Sequence, residues 1–499
     1  MYRINSVAEN KVENFDLQTI TQLDEENRWV KLAELIPWSE LEIEYASQFS
    51  EKMGAPAKPF RMALGALIIK EYLGTSDRET VERIKESPYL QYFLGLPGFT
   101  NQAPFEASMF VYFRKRLNQE LIGRINDRIV WNLMPKQQKT KPGEETAEEQ
   151  SQANAERESE LPQNQGKLIL DASCAPADIN YPTDLKLLNQ AREQTERLID
   201  QLYEQVKQKL DKKPRTYRRI ARKDYLELAK QRRPKRKKLR KAIRKQLSYL
   251  RRNLAHIDSL VAAGASLSEL NQPSYRSLLV ISELFRQQQW MYENQTNRID
   301  DRIVSLTQPH LRPIVRGKAG TPVEFGAKLS VSYSDGYCFL DHLSWDNFNE
   351  SLDLESQVEK YYQRFGCYPE SLHVDQIYRT RANRAWCKKR GIRLSGPPLG
   401  RRPANRSPEL LQQQREDERY RNAIEGKFGQ AKRRFGLGRI MAKLSDTAES
   451  SIAITFLVMN LEQLLKQLLM LFFCFLINSS FFCKLVSGFE GARRQLKLS

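Results

Sequence analysis

Histidine, cysteine and long apolar runs are all scarce in this chain, and each shortage excludes something. The 499 residues hold four scattered His, so a histidine-rich zinc site is not expected. The six Cys (Cys174, Cys338, Cys367, Cys387, Cys474, Cys483) form no Cys-x-x-Cys pair and no disulfide-like framework. With no secretory signal at the N-terminus, the expected setting is reducing and cytoplasmic. The strongest apolar run, "LLMLFFCFLI" at Leu468 to Ile477, has about half the length of a transmembrane helix, and Glu462 and Lys466 interrupt the residues before it. A core helix followed by a tail over 471–499 is expected there, and no membrane partner.

Negative charge is outweighed as well. Lys and Arg number 80 against 61 Asp and Glu, a formal net charge of +19. Such a surplus attracts polyanions, of which nucleic acid is the commonest. The length allows about three domains of ordinary size.

What is present falls into blocks. Residues 1–134 read as an all-helical domain. "KPFRMALGALIIKEYLG" has helical apolar spacing and stops at Gly74, and "SDRETVERIK" opens with a capping box, Ser76 and Glu79. Two helices joined so tightly, followed by "FEASMFVYFRKRL", suggest a helix-turn-helix-like DNA-binding domain with Arg114, Lys115 and Arg116 as its phosphate-facing edge. Residues 135–166 are polar and almost without large apolar side chains, hence a flexible linker. Residues 167–470 read as one α/β domain carrying a long basic helical insert at 186–305. Charge as dense as that of the insert repels itself unless an anion lies alongside. Arg232, Arg233, Lys235, Arg236, Lys237, Lys238, Arg240 and Lys241 are therefore candidate contacts to a DNA backbone, giving affinity and salt dependence but no sequence information.

Three acids stand out around that insert. In "KLILDASCAPADINYPTDLKLL", Leu168 to Leu170 look like a strand buried on both faces, and Asp171 follows at once; the alternative role, a turn or helix cap, suits Asp178 and Asp184 better. "AKLSVSYSDGYCFLDHLSW" is a hairpin turning at Asp335-Gly336. After a helix, "SLHVDQIY" is a strand with Leu372 and Val374 on one face and Asp375 on the other. A helix ending at Gly391 and a short strand follow, and then a long helix over 409–435. That helix carries Glu425, the one carboxylate among six Lys and Arg in "YRNAIEGKFGQAKRRFGLGR". By itself Glu425 is a surface acid paired with Arg421 one turn earlier. A mixed sheet, however, can bring Asp171 and Asp375 to neighbouring strands and lower a third carboxylate toward them. Hard oxygen ligands in a positive field suit Mg²⁺, and a pair of such ions suits phosphodiester displacement.

At these residues the chain resembles the DDE transposases of bacterial insertion sequences, of the family-four and family-five type. The likeness covers the helical N-terminal block, "LDASCAPADINYPTDLKLL", "GTPVEFGAKLSVS", "HVDQIYRTRANRAWCKKRGIRLSGPPLGR" and "RNAIEGKFGQAKRRFGLGR". The resemblance implies an α/β, RNase H-like mixed sheet with flanking helices. It implies catalytic and metal-binding Asp171, Asp375 and Glu425, flanked by Arg421 and Lys432 on phosphate or the carboxylate. It further implies Mg²⁺, with Mn²⁺ substituting, and as partners the element's terminal inverted repeats, target DNA and further copies of the chain on DNA. The activity implied is metal-dependent cleavage at the element ends and transfer of the 3′-hydroxyl into target DNA. One position departs from the pattern: a Tyr three residues before the Arg is replaced by Glu418, with Tyr420 nearby. Two other readings stay open, a nuclease of the same fold without strand transfer and a basic DNA-binding protein without catalysis.

Overall fold

Local signals set most of the elements in the computed structural model, which describes residues 23–49, 56–133, 163–315, 323–397 and 407–478, with side chains through Met470. The N-terminal block is helical as expected: α1 (Arg28–Leu35), α2 (Trp38–Ala46), α3 (Phe60–Leu73), α4 (Asp77–Glu86), α5 (Pro88–Phe93), α6 (Met109–Arg116) and α7 (Gln119–Leu133). Gly74 ends α3 in the left-handed conformation (φ 65°), which costs a residue without Cβ nothing. The Ser76 hydroxyl then accepts the Glu79 N–H at 3.2 Å to start α4. The expected linker lies outside the described residues as far as residue 162. Its last residues are docked, since Gln165 donates its N–H to the Tyr368 carbonyl and Gly166 accepts from Glu370, both at 2.9 Å.

β1 (Lys167–Pro176) leads into the insert: α8 (Asp184–Val206), α9 (Arg218–Ala229), α10 (Arg236–Ala262) and α11 (Gln272–Glu293). The insert is helical, but its helices end at Glu293, and residues 294–311 are irregular. It has apolar centres of its own, one around Leu198, Leu202, Ile257 and Leu260 and another around Leu188, Leu250, Ile281 and Leu284. Thr183, not Asp184, caps α8, and Asp178 instead accepts from Arg439 at 2.8 Å.

The chain then returns to the sheet through β2 (Arg312–Val315), β3 (Val323–Ser334), β4 (Tyr337–Ser344), α12 (Leu354–Phe365), β5 (Ser371–Val374), α13 (Arg381–Lys389), β6 (Arg393–Leu394), α14 (Pro408–Arg434) and α15 (Ser445–Asn478). Asp335 (φ 50°) and Gly336 (φ 96°) form the two-residue turn that the sequence indicates between β3 and β4. The six-stranded sheet runs β2-β3-β1-β5-β6, with β4 also on β3; β1, β5 and β6 are parallel to one another and β3 is antiparallel to β1. The α/β class with a mixed sheet is therefore as expected. One strand differs from expectation: β1 does not stop at Leu170 but runs on through Pro176, because β3 pairs with it from Tyr333 to Gly326.

α15 is the element around which the rest packs. It touches α1, α3, α6 and α7 of the helical block and also β4 and α14. Its Asn460 amide accepts from the Cys338 N–H at 2.8 Å and donates to the Cys338 carbonyl and to Asn126 of α7 at 2.8 and 2.9 Å. The helical block and the sheet thus share one continuous core, with Phe60, Leu64, Ile125, Leu170, Val374 and Leu457 all in it. Ser445–Met470 is long and apolar enough to cross a membrane, yet most of it is buried inside the protein. The helix also runs past residue 470, so the expected break before the tail falls within a helix; residues 479–499 lie outside those described.

A second tie between block and sheet is ionic. Arg364 of α12 donates to Asp341 of β4 at 2.8 Å and to Asp127 of α7 at 3.0 Å, over the face of Phe339. Asp341 is 1% exposed. Removing its partner strands a buried charge, so Arg364→Ala is expected to lower stability by about 3–5 kcal/mol. Replacing both Arg364 and Asp341 by apolar residues of similar size should cost less than that single change. Urea unfolding of the three proteins measures both differences, and a double variant less stable than Arg364→Ala would contradict the assignment.

Candidate active site

Register decides which acids meet. In the parallel pair, Leu168, Ile169 and Leu170 of β1 face Leu372, His373 and Val374 of β5. The next residue on each chain is Asp171 and Asp375. Adjacent strands lie about 4.8 Å apart, so these two carboxylates stand side by side where β5 ends, on the sheet face that also carries Ile169 and His373. Asp375 is exposed and caps the short turn that follows, accepting the Gln376 N–H at 2.6 Å. Asp171 is half-buried and accepts the Ala172 N–H at 2.8 Å. Burial pushes the Asp171 carboxyl up to about 6; the like charges of Glu350 and Asp375 add to the rise, against the Ala172 N–H and the Arg421 guanidinium.

α14 crosses the sheet on that same face. Asp417 meets β6 and β5, Tyr420 packs on His373 (ring centroids 5.0 Å apart) beneath the Lys167 ammonium, and Lys427 lies over Tyr333 of β3. Asp417, Ile424, Phe428 and Ala431 form its buried stripe. Glu418, Arg421, Glu425 and Lys432 recur at i, i+3, i+7 and i+14, which puts them along one neighbouring flank. That flank looks toward the strand ends. Arg421 acts on Asp171, and both Arg421 and Glu418 act on Arg379, whose guanidinium donates to the Val374 carbonyl at 2.7 Å.

The structure thus brings Asp171, Asp375 and Arg421 together. Glu425 is turned outward, with its side chain 56% exposed, and accepts from Arg421 at 3.1 Å, the simple surface pair of its spacing. Among the described residues, no three His, Cys, Asp or Glu gather closely enough to hold a metal ion. The donor set nevertheless suits a hard dication. Two carboxylates on adjacent strands, with Asp171 pushed toward protonation by burial and by its acidic neighbours, are relieved by positive charge, and a third carboxylate lies on the adjoining helix flank. Lys432 is half-buried on the same flank.

Two acids at this site escaped the sequence. Glu350, held at 3.0 Å by Lys328, carries no local signal, because only the fold brings it into the field of Asp171. Asp417 does leave a trace: the apolar stripe of Phe428 and Ile424, extended backward by two turns, reaches a carboxylate that must find a partner. The partner is Arg393, which donates to both Asp417 oxygens at 2.8 Å.

The expected DNA contacts divide. Arg114 is a correction: it is 8% exposed and pairs with Asp77 inside the helical block, so it is no part of an outer edge. Helical spacing turns that position inward, which charge alone does not reveal. Lys115 and Arg116 are exposed, Arg116 stacking on Phe49 and donating to the Gln48 carbonyl. The outer face of α4 is of mixed charge, with Arg83 paired to Glu79 and Lys85 to Glu82. In the insert, Arg232, Arg233, Lys235, Arg236, Lys237, Lys238 and Lys241 are all exposed. Arg240 is the exception, half-buried over the Tyr292 ring. The first turn of α10 contains no acid, so this cluster sits at the positive end of a helix dipole, an arrangement that disfavours the isolated protein and favours a bound anion.

Comparison with known proteins finds two families that match parts of the chain. Residues 372–462, which include Asp375, Arg421, Glu425 and Lys432, match the family described as "Transposase DDE domain". Residues 18–116 match a second family, "Transposase domain (DUF772)". The chain is also similar to "Uncharacterized protein ORF8 in nfe locus" of Rhizobium meliloti, 28% identical over 158 residues; the likeness covers 32% of this chain and 66% of that protein. No solved structure matches. With a transposase DDE domain matched around the second acid and the α14 flank, and a further transposase domain matched in the helical block, the two matches together support a DDE transposase of insertion sequences.

Proposed function

We propose that this transposase cuts DNA at the ends of its own insertion sequence and joins the freed 3′-hydroxyl to target DNA, on an RNase H-like core. The observation that carries the reading is the β1–β5 register, which sets Asp171 beside Asp375 under Arg421. The sheet supports the core assignment: a long antiparallel β1–β3–β4 meander continues into parallel β5 and β6, with an acid on β1 and another just after β5.

Asp171, Asp375 and Glu425 would hold Mg²⁺ or Mn²⁺ once Glu425, which is exposed, leaves Arg421. When bound, the metal activates the attacking oxygen and stabilises the leaving one. Arg421, released from Glu425, and Lys432 hold the phosphate on the α14 flank. In cleavage, a water oxygen bonds to phosphorus as the bond to the 3′-oxygen breaks, leaving a 3′-hydroxyl. In transfer, that hydroxyl bonds to a target phosphorus and a target 3′-oxygen leaves. Each step exchanges one P–O bond for another, so no further reactant is needed. The exposed basic residues at the start of α10, with Lys115 and Arg116, grip the duplex backbone, and the reaction runs in a cytoplasmic, DNA-bound assembly of several copies.

Cleavage of an end-containing duplex is expected to stop in chelator, and Glu425→Gln is expected to reduce it by orders of magnitude while the protein stays folded. Metal-free affinity for the same DNA should hold or tighten, since a carboxylate that repels phosphate has gone. A surface pair is worth only about 0–1 kcal/mol, so near-normal cutting by Glu425→Gln would return that acid to the helix surface. A supercoiled target in the same reaction distinguishes transferase from simple nuclease.

Replacing Arg232, Arg233, Lys235, Arg236, Lys237, Lys238 and Lys241 with Gln should weaken binding to all sequences alike and flatten its salt dependence by about 0.9 per lost phosphate contact. An unchanged slope in a fluorescence titration on random DNA would assign the cluster elsewhere.

Asp171 also makes a pH prediction. Its carboxyl is raised in the folded protein, so its contribution to stability is full below the unfolded value near 4 and is lost as pH rises through about 6. In chelator at pH 8, Asp171→Asn should therefore be more stable than the native chain, by up to about 3 kcal/mol, with the gap closing toward pH 4. Urea midpoints across that range read the difference, and a less stable Asn variant at pH 8 contradicts it.

A further inference from the structure

α14 must be held at one rotation about its axis for the flank that carries Arg421 and Glu425, the latter turned outward and paired with Arg421, to stay beside the acids on the strands. A turn of one residue, about 100°, would carry that flank away from them. Apolar packing alone holds a helix roll loosely, because Ile424, Phe428 and Ala431 are a non-directional contact. The stripe contains one charged group, Asp417, and its geometry is directional. Arg393 of β6 meets it with two parallel hydrogen bonds, both 2.8 Å, a bidentate arrangement that fixes the plane of the carboxylate. His373 Nδ1 of β5 lies 3.5 Å from its Oδ1, and the other ring nitrogen of His373 is engaged by Ser371 at 3.0 Å. One turn on, Tyr420 closes against the His373 ring and carries the Lys167 ammonium of β1 over its own.

Resting on the function proposed above, we infer that the Arg393–Asp417–His373 cluster is a positioning clamp: it fixes the roll of α14, and through it the reach of Glu425 and Arg421 to Asp375 and Asp171. Asp417 occupies the turn before Arg421 and faces the sheet, so it touches neither DNA phosphate nor metal. It acts through Glu425. His373 joins the same device to the acid two residues after it, just past the end of β5, so one cluster ties the helix acid and the acid at the strand end to a common reference. The other groups around the clamp, Lys167, Tyr420 and Ser371, complete its polar surroundings, with Arg393 as the cation bound directly to the carboxylate.

The test uses the full chain, with Mn²⁺ as the probe. Electron paramagnetic resonance of added Mn²⁺ measures metal affinity without turnover, and thermal unfolding and metal-free DNA binding are read on the same preparations. Asp417→Asn and Arg393→Gln are expected to bind DNA as the native chain does, to bind Mn²⁺ about tenfold more weakly, and to need correspondingly more metal for half-maximal cleavage. Saturating metal should restore most of the cleavage rate, which Glu425→Gln cannot do. Arg393, 40% exposed, is the variant that decides if Asp417→Asn does not fold. Folded variants with native Mn²⁺ affinity and native metal dependence overturn the clamp and leave the transposase reading intact. A native chain that neither binds Mn²⁺ nor cuts DNA overturns that reading, and the clamp with it.

Discussion

The site depends on the parallel register of β1 and β5. Side chains on a strand alternate between faces, so a slip of one residue would send Asp171 to the far side of the sheet while Asp375 stayed. The register is held by burial: Leu168 and Leu170 lie opposite Leu372 and Val374, and all four are buried. β3 reinforces it from the other edge with a long antiparallel ladder along β1. Two carboxylates can therefore be kept close, one of them pushed toward protonation, because the apolar residues beside them fix the strands more firmly than the acids can push them apart.

Much of this was legible in the sequence, wherever the signal is local. Gly74 and Ser76, Asp335 and Gly336, and the long helix through Glu425 are set by neighbours in the chain, and each is where its own chemistry puts it. Asp171 was legible because a charge directly after the apolar run Leu168–Leu170 is conspicuous, and Asp375 because it follows the alternating Leu372 and Val374. The extent of β1 was not, since Ala172 to Ala175 are small and carry little strand preference, and a distant strand, β3, supplies the hydrogen bonds. Arg114 misled because a basic run says nothing about which member faces inward. Glu350 and the partnership of Asp417 with Arg393 are tertiary facts, with no sequence spacing to announce them.

The insert solves a different problem. A chain segment this basic would swell if its helices did not have apolar centres, and the Leu and Ile residues at the α8–α10–α11 contacts supply them. The basic residues run along α9 and α10 as well, but they are densest at the α9–α10 turn and the first turn of α10. Self-repulsion is greatest at that exposed turn, where solvent screens it in the free protein.

The position of α15 has a consequence for how the protein is made. A ribosome releases the chain from its N-terminus, so the helical block, the strands and the insert all emerge before residue 445 does. Yet their common core is completed by α15, whose Asn460 joins α7 to β4. Until that last stretch leaves the ribosome, the block and the sheet have no shared interior to close around. An interrupted translation product is thus left with an open, apolar seam, a target for proteases.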